Sequence, residues 1–201
     1  MTPPTPDAAP ISDHAKISTV ALDSAEKSTS VVTSMRVFAT PSQVWSSLVF
    51  YEGLDEAPPL YLRLLLPRPI RTQGSKSKVG DEATCLYQGG HLLKQITKID
   101  VDRLYEFKVV EQDLGIGGGV RLSGGCYALR ALTGGDTELS ITTGYTSRNR
   151  PRWLVQPVEE AVCHLFHRHL LGAIKRKAEG TRTSDLKAPE PMAPEPRSPV
   201  P

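Results

Sequence analysis

Apolar positions change their spacing along this chain, and the change divides it into a strand-rich part and a closing helix. From residue 83 to residue 146 apolar side chains tend to recur at every second position, as in the run 104–111, where they alternate with Glu106 and Lys108. From residue 151 to residue 179 they recur every three or four positions. We therefore expect a sheet followed by one long helix.

The strands are expected to follow one another through short turns. We predict a first strand over 30–39, and later strands over 83–88, 91–99, 104–111, 120–132 and 137–146. Between them, Thr40, Pro41 and Gln43 form a capping-box pattern that predicts a short helix, and residues 59–66 form a second helix or turn. The polar, basic stretch 67–82 is interpreted as a loop.

The closing helix, Pro151 to Glu179, is expected to cover one face of the sheet. In a helical projection His169 lies near the centre of an apolar stripe formed by Leu154, Val158, Ala161, Val162, Leu165, Phe166 and Ala173. His164 and His167 project toward solvent, and Gly180 is a natural stop. Sequential strands with short connections favour an antiparallel sheet, so the fold class is α+β. A curved sheet around one helix leaves space for a cavity.

Composition places this fold between two tails. Residues 1–28 lack apolar periodicity and residues 181–201 are rich in proline, so we expect a disordered N-terminal tail, a domain at 29–180 and a disordered Pro-rich tail. The net charge of +2 does not favour nucleic-acid binding. Three scattered cysteines, the lack of a signal-peptide pattern and the lack of a spanning apolar run indicate a cytoplasmic protein.

Four stretches carry a resemblance to a known superfamily: VFATPSQVW, ITKIDVDRLYEF, GGDTELSITTGY and the closing helix. Their order resembles the helix-grip fold of the START-like superfamily, which includes polyketide cyclases, lipid-transfer domains and birch-allergen proteins. The resemblance implies a curved antiparallel sheet wrapped around a long C-terminal helix, with two short helices after the first strand. It also implies a cup that holds an apolar or amphipathic molecule. It supplies no catalytic motif to transfer.

The candidate ligand-binding residues are polar groups expected to face the helix, together with residues of the helices themselves. Alternation places His91 and Gln95 inward and Lys94 and Lys98 outward. Arg121 has the parity of Tyr127 and is a candidate partner for an acidic ligand group. The remaining candidates are Thr143, Tyr145, Leu165, His169 and Tyr61. His169 is either a core histidine or a polar group of the pocket wall.

No metal or cofactor site is predicted. His164 and His167 lack a third ligand at metal-binding spacing, and the glycine run 115–119 precedes a strand where a dinucleotide motif would need a helix. The leading hypothesis is a carrier of a small hydrophobic ligand. The alternatives are a cyclase or dehydratase that uses a pocket His and Tyr for proton transfer, and a regulatory protein that displays its tails. Basic residues at 68–78 and 148–152 suggest transient contact with a membrane surface. The sequence does not define an oligomeric state.

Overall fold

The computed structural model describes residues 28–48 and 58–186, and for 182–186 the backbone alone. Of the tails expected at 1–28 and 181–201, residues 1–27 and 187–201 lie outside the described residues, as does Val49 of the first predicted helix. The closing helix continues to Leu186, six residues beyond the expected domain boundary at 180.

Seven strands and three helices make up the described part of the chain. In order they are β1 (Thr29–Val37), α1 (Pro41–Ser46), α2 (Leu60–Leu65), β2 (Pro69–Gly74), β3 (Glu82–Tyr87), β4 (Gly90–Asp100), β5 (Leu104–Asp113), β6 (Val120–Ala131), β7 (Thr137–Ser147) and α3 (Arg152–Leu186). The strands form one antiparallel sheet in the order β1-β7-β6-β5-β4-β3-β2. The predicted fold class, a curved antiparallel sheet with a long closing helix, is confirmed.

The capping box predicted from Thr40 and Gln43 is present at the start of α1. The Gln43 amide donates to Thr40 Oγ1 over 3.4 Å, and the Thr40 amide donates to Gln43 Oε1 over 3.1 Å. Pro41 occupies the first helical turn, where a backbone N–H would have no hydrogen-bond acceptor within the helix, so its absence costs nothing. This local chemistry turns the chain from β1 into the short helix.

Strand β2 was not predicted, because its polar residues resemble a loop. It pairs only with β3 and forms one edge of the sheet. An edge strand needs little apolar character, and Pro69 is tolerated as its first residue. The interpretation of the whole stretch 67–82 as a loop was therefore wrong.

A seam opens between β5 and β6. These strands share five paired positions, from Leu104↔Ala128 to Lys108↔Gly124, and then separate. Beyond that point the Gln112 side chain bridges them: its Nε2 donates to the Val120 carbonyl over 2.9 Å, and its Oε1 accepts from the Leu122 amide over 2.9 Å. One amide side chain thus replaces strand pairing at the end where the sheet opens.

Helix α3 packs on the sheet through a face that matches the predicted stripe only in part: Val162 and Phe166 of that stripe line the space between helix and sheet. Leu170, Leu171 and Ile174 are buried in the core with residues of α1 and the strands. By contrast, Leu154, Val158 and Leu165 of the predicted stripe are exposed. The helix carries apolar residues around much of its circumference, so periodicity alone did not fix its rotation.

Candidate ligand-binding cavity

A cavity of about 350 Å³ lies between the sheet and the first half of α3. Most of its wall is apolar. The aliphatic and aromatic part consists of Leu65, Leu66, Pro67, Tyr87, Leu92, Phe107, Val109, Leu114, Ile116, Val120, Leu122, Tyr127, Ile141, Tyr145, Val155, Val158, Val162, Phe166 and Leu170. Such a wall, interrupted by a few polar groups, is typical of pockets for small organic ligands.

The mouth of the cavity is defined by lining residues that are also exposed. Leu65 at the end of α2, Gly117 in the loop after β5 and Val158 near the start of α3 meet this condition. The loop turns tightly at Gly117 and Gly118, whose φ angles of 53° and 73° are readily adopted only by glycine. The glycine run therefore shapes the mouth and starts a strand, as the sequence indicated.

Glu159 is the carboxylate of the cavity wall, and it is held by a cluster at the start of α3. Its Oε1 accepts from Ser147 Oγ over 2.6 Å and from Asn149 Nδ2 over 3.0 Å, while its Oε2 accepts from Arg152 Nη1 over 2.7 Å. Burial raises the pKa of the Glu159 carboxyl, but these hydrogen bonds and the Arg152 charge outweigh burial and lower it. Glu159 and Arg152 are therefore both charged, and their opposite charges cancel.

Tyr145 places a buried hydroxyl beside this cluster. The residue is 2% exposed, and its oxygen makes no hydrogen bond of good geometry to any residue in 28–48 or 58–186. Burial raises the pKa of the phenol, and the nearby Arg152 guanidinium partly opposes the rise. A buried phenol in a cavity wall is a ready donor for a polar ligand atom.

His167 occupies the centre of the buried face, where the sequence predicted solvent. Its ring is fully buried, with Nδ1 2.9 Å from Thr33 Oγ1 and Nε2 2.8 Å from Thr143 Oγ1. Thr33 Oγ1 is also 2.8 Å from His164 Nδ1. Burial, followed by the charge of His164, lowers the pKa of His167 to about 4. The predicted solvent exposure of His167 was wrong.

The hydroxyls of β1 and β7 explain how a histidine can occupy a core position. A neutral imidazole has one donor and one acceptor, and the two threonines satisfy both. Cys163 lies beside the same ring, with Sγ 3.5 Å from Nε2, and burial raises the pKa of its thiol to about 11. The thiol is therefore protonated and is not an activated nucleophile.

Three of the predicted ligand-binding residues come together in the cavity wall: Tyr127, Thr143 and Tyr145. Tyr127 also borders a second cavity of about 300 Å³ near Trp45 and Tyr105. Tyr61, predicted for this wall, is 46% exposed on α2, whose last residue Leu65 lines the cavity instead.

His91 and Gln95 lie on the outer face of the sheet, so their predicted inward orientation was wrong. His91 Nε2 is 3.4 Å from a Glu111 carboxylate oxygen, and Gln95 donates to Glu82 over 3.2 Å. The inner face of β4 carries Leu92, Lys94 and Ile96 instead. The prediction assumed that lysine must face solvent, but Lys94 is only 7% exposed and lines the cavity.

Arg121, Leu165 and His169 also lie outside the cavity wall. A register shift between Leu122 and Gly124 breaks the parity from which Arg121 was assigned, and Arg121 is exposed. Leu165 is 37% exposed because α3 is rotated relative to the predicted stripe. His169, on the same helix, is half-buried. His167, Lys94 and Glu159 were not predicted as site residues.

Sequence comparison adds nothing to this picture: no protein-family model matches the chain, and no curated protein matches its sequence. Within the described residues, no helix is long and apolar enough to cross a membrane.

Structure comparison finds the same architecture in several solved proteins. A norcoclaurine synthase point mutant from Thalictrum flavum, solved with a transition-state analogue, aligns with a TM-score of 0.51 at 16% identity, over 80% of this chain and 99% of that one. TTHA0849 from Thermus thermophilus gives 0.53 at 14% identity, over 76% and 99%. Ara h 8.0201 gives 0.50 at 12% identity, over 77% and 99%.

The sheet order, the closing helix and these alignments define the class: the protein has a helix-grip fold. At such low identity the likeness concerns the fold alone. Function must therefore be inferred from the cavity.

Proposed function

We propose that this protein binds or carries a small hydrophobic or amphipathic molecule in the cavity beneath α3. The observation that carries the proposal is the cavity itself, about 350 Å³ of mostly apolar space between the sheet and α3. Volumes from about 300 Å³ are usual for ligand sites. Tyr145 and Thr143 supply polar contacts that would orient the molecule.

The first test uses native mass spectrometry of the purified protein together with binding of a neutral apolar dye, N-phenylnaphthylamine. We expect a co-purified small molecule, or dye binding that a lipid displaces. Val162→Trp places a bulky side chain in the cavity and should abolish dye binding at little cost in stability, because it enters empty space. Leu165→Trp is the matched control: it adds the same side chain to the same helix at an exposed position and should leave dye binding unchanged.

Failure of the parent protein to bind any dye or lipid would refute the proposal. So would a Val162→Trp variant that binds dye like the parent. A loss of stability in Val162→Trp of the size seen on overpacking a dense core, about 1–3 kcal/mol, would indicate that the cavity is not available space.

A second candidate function is proton-transfer catalysis of the cyclase or dehydratase type. The observation favouring it is the chain of contacts His164–Thr33–His167–Thr143, which leads from the half-exposed His164 to a hydroxyl of the cavity wall. His167 is neutral near pH 7 and would act as a base or relay. The candidate bases predicted from the sequence, His91 and His169, do not reach the cavity wall.

Catalysis is tested on the bound molecule itself. A co-purified ligand that loses the mass of water on incubation with the parent protein, but not with His167→Gln, would support a dehydratase. An unchanged mass in both proteins would leave binding as the function.

We also propose that the mouth contacts membrane surfaces during loading. Leu64 and Trp153 are each 79% exposed. Leu64 directly precedes the mouth residue Leu65, and Trp153 lies in the first turn of α3, five residues before the mouth residue Val158. Arg68, Arg148 and Arg150 are exposed beside them and would favour anionic lipid. Sedimentation with phosphatidylserine vesicles should exceed that with phosphatidylcholine vesicles and should fall in Trp153→Ser. Equal sedimentation with both would refute this contact.

A further inference from the structure

The cavity beneath α3 runs in one direction, from the mouth toward the middle of the sheet. On β6 its lining begins at Val120 and ends at Tyr127, roughly 20 Å further along the strand. On α3 the lining runs the same way, from Val155 and the mouth residue Val158 to Leu170. Tyr127 and Leu170 therefore lie at the inner end of the cavity, remote from the mouth.

The second cavity, of about 300 Å³, continues along the same strands. On β5, Phe107 lines the cavity beneath α3, whereas Tyr105, the preceding residue on the same face of the strand, lines the second cavity. Besides tyrosine rings, the apolar part of the second wall consists of Trp45, Leu48, Ile99 and Val101. An alkyl chain that reached this space would therefore find apolar surroundings there.

Tyr127 separates the two spaces. Among the described residues it is the one that lines both cavities, and it is 4% exposed. Tyr127 lies opposite Tyr105 in the β5–β6 register, and the two rings pack edge to face with their centroids 6.5 Å apart. On its other side it is paired with Ile141 of β7. Strand pairing on both sides and the ring contact thus fix the place of this partition.

We infer that Tyr127 determines specificity for length, because its ring sets the longest molecule that the cavity beneath α3 accepts. This inference rests on the proposed binding function and adds a limit on the size of the ligand. Each methylene group buried against an apolar wall increases affinity about fourfold, equal to about 0.8 kcal/mol. The gain should continue until the end of the chain meets the Tyr127 ring. Further methylene groups should add nothing, because they stay in water at the mouth.

The test uses straight-chain alkanols from hexanol to tetradecanol, whose hydroxyl stays near water at the mouth. Displacement of N-phenylnaphthylamine from the parent protein gives the dissociation constant of each alkanol. We expect this constant to fall about fourfold per methylene group up to a cut-off length and to level off beyond it. In the complex with the longest alkanol below the cut-off, the terminal methyl group should show an NMR nuclear Overhauser effect to the Tyr127 ring protons. Neither measurement depends on a variant.

Variants at the partition should move the cut-off. Tyr127→Ala removes the ring and joins the two cavities, so alkanols beyond the parent cut-off should continue to gain affinity. Tyr127→Phe is the matched control, because it keeps the ring and should keep the cut-off. Adding Ile99→Trp to Tyr127→Ala fills the second cavity and should restore the parent cut-off. Near-ultraviolet circular dichroism verifies that each variant is folded, and Tyr127→Leu, which removes less volume, replaces Tyr127→Ala if that variant does not fold.

Three results would overturn the inference. A parent protein whose affinity keeps rising through tetradecanol has no such limit. A cut-off that is the same in Tyr127→Ala and in the parent would assign the limit to another part of the wall. A longer cut-off that Ile99→Trp does not reverse would show that the second cavity is not the space behind the partition. In each of these cases alkanols bind and the binding function stands, whereas failure of both the dye and the alkanols to bind refutes both.

Discussion

The buried imidazole of His167 should make the protein lose stability in mildly acidic solution. In the folded protein its pKa is lowered to about 4, by burial and by the neighbouring His164, from an ordinary value of 6.5. The unfolded chain therefore takes up a proton first as the pH falls. Stability is unaffected above about pH 6.5, decreases below it, and stops decreasing on account of this residue near pH 4.

The size of the loss follows from the two pKa values. They differ by 6.5 − 4, or about 2.5, and each unit corresponds to about 1.4 kcal/mol, so the full loss is about 3 kcal/mol. About 2 kcal/mol of it should appear between pH 6.5 and pH 5. Glu159 and Asp81, whose pKa values are lowered in the folded state, add their own losses only at lower pH. The loss expected above pH 5 therefore does not come from these two carboxyls.

Urea unfolding followed by tryptophan fluorescence at several pH values between 5 and 7.5 measures this loss. The His167→Gln variant keeps a donor and an acceptor for Thr33 and Thr143 but cannot titrate, so its stability should depend less steeply on pH than that of the parent. Identical pH dependence in the two proteins would refute the reasoning, as would an NMR titration midpoint for the His167 ring near 6.5.

Two further substitutions test the sheet and the start of α3. Gly124→Ala should lower the free energy of unfolding by about 1–3 kcal/mol, because the added Cβ would lie 2.5 Å from the Phe107 carbonyl oxygen, whereas Gly115→Ala has open space and should change it little; urea unfolding compares them. Glu159→Gln should cost about 1–3 kcal/mol at pH 7 by removing the charge that Arg152 binds, and the difference from the parent should shrink as acid protonates the parent carboxyl. A pH-independent difference would contradict the ionised pair.

The order of elements could be predicted because each depends on neighbours in sequence. The capping box of Thr40 and Gln43, the turn pattern between β6 and β7 and the alternation of β5 are all local signals. These signals, together with short connections, were sufficient for the antiparallel sheet and the closing helix. Only β2 was missed, since an edge strand lacks the apolar pattern on which the prediction relied.

The inner surface of the fold could not be predicted in the same way, because it depends on partners far apart in sequence. His167 is buried since Thr33, 134 residues away, and Thr143, 24 residues away, satisfy its two nitrogens. Periodicity cannot reveal such partners, and a polar residue was therefore placed outside. Because His167 was placed outside, the predicted buried face of α3 was rotated away from the observed one, and Leu165 was wrongly assigned to the site.

Strand parity failed for two separate physical reasons. On β4 the rule that a lysine faces solvent was applied to Lys94, although a cavity can accept a cation that a packed core would reject. On β6 the register shift before Gly124 reversed the face of Arg121 relative to Tyr127. Neither a cavity nor a bulge has a clear signature in a single sequence, so the candidate site was only partly predicted.

The seam between β5 and β6 would let the cavity change its width at one end. The two strands are paired at five positions. Beyond these, the Gln112 side-chain amide connects them through its hydrogen bonds to Val120 and Leu122. Breaking the two hydrogen bonds of the Gln112 side chain would let β5 and β6 move apart at this end of the sheet, while their five paired positions stay intact. The Leu122 amide proton, held by a side chain rather than by a neighbouring strand, would therefore report that breathing through faster exchange with deuterium.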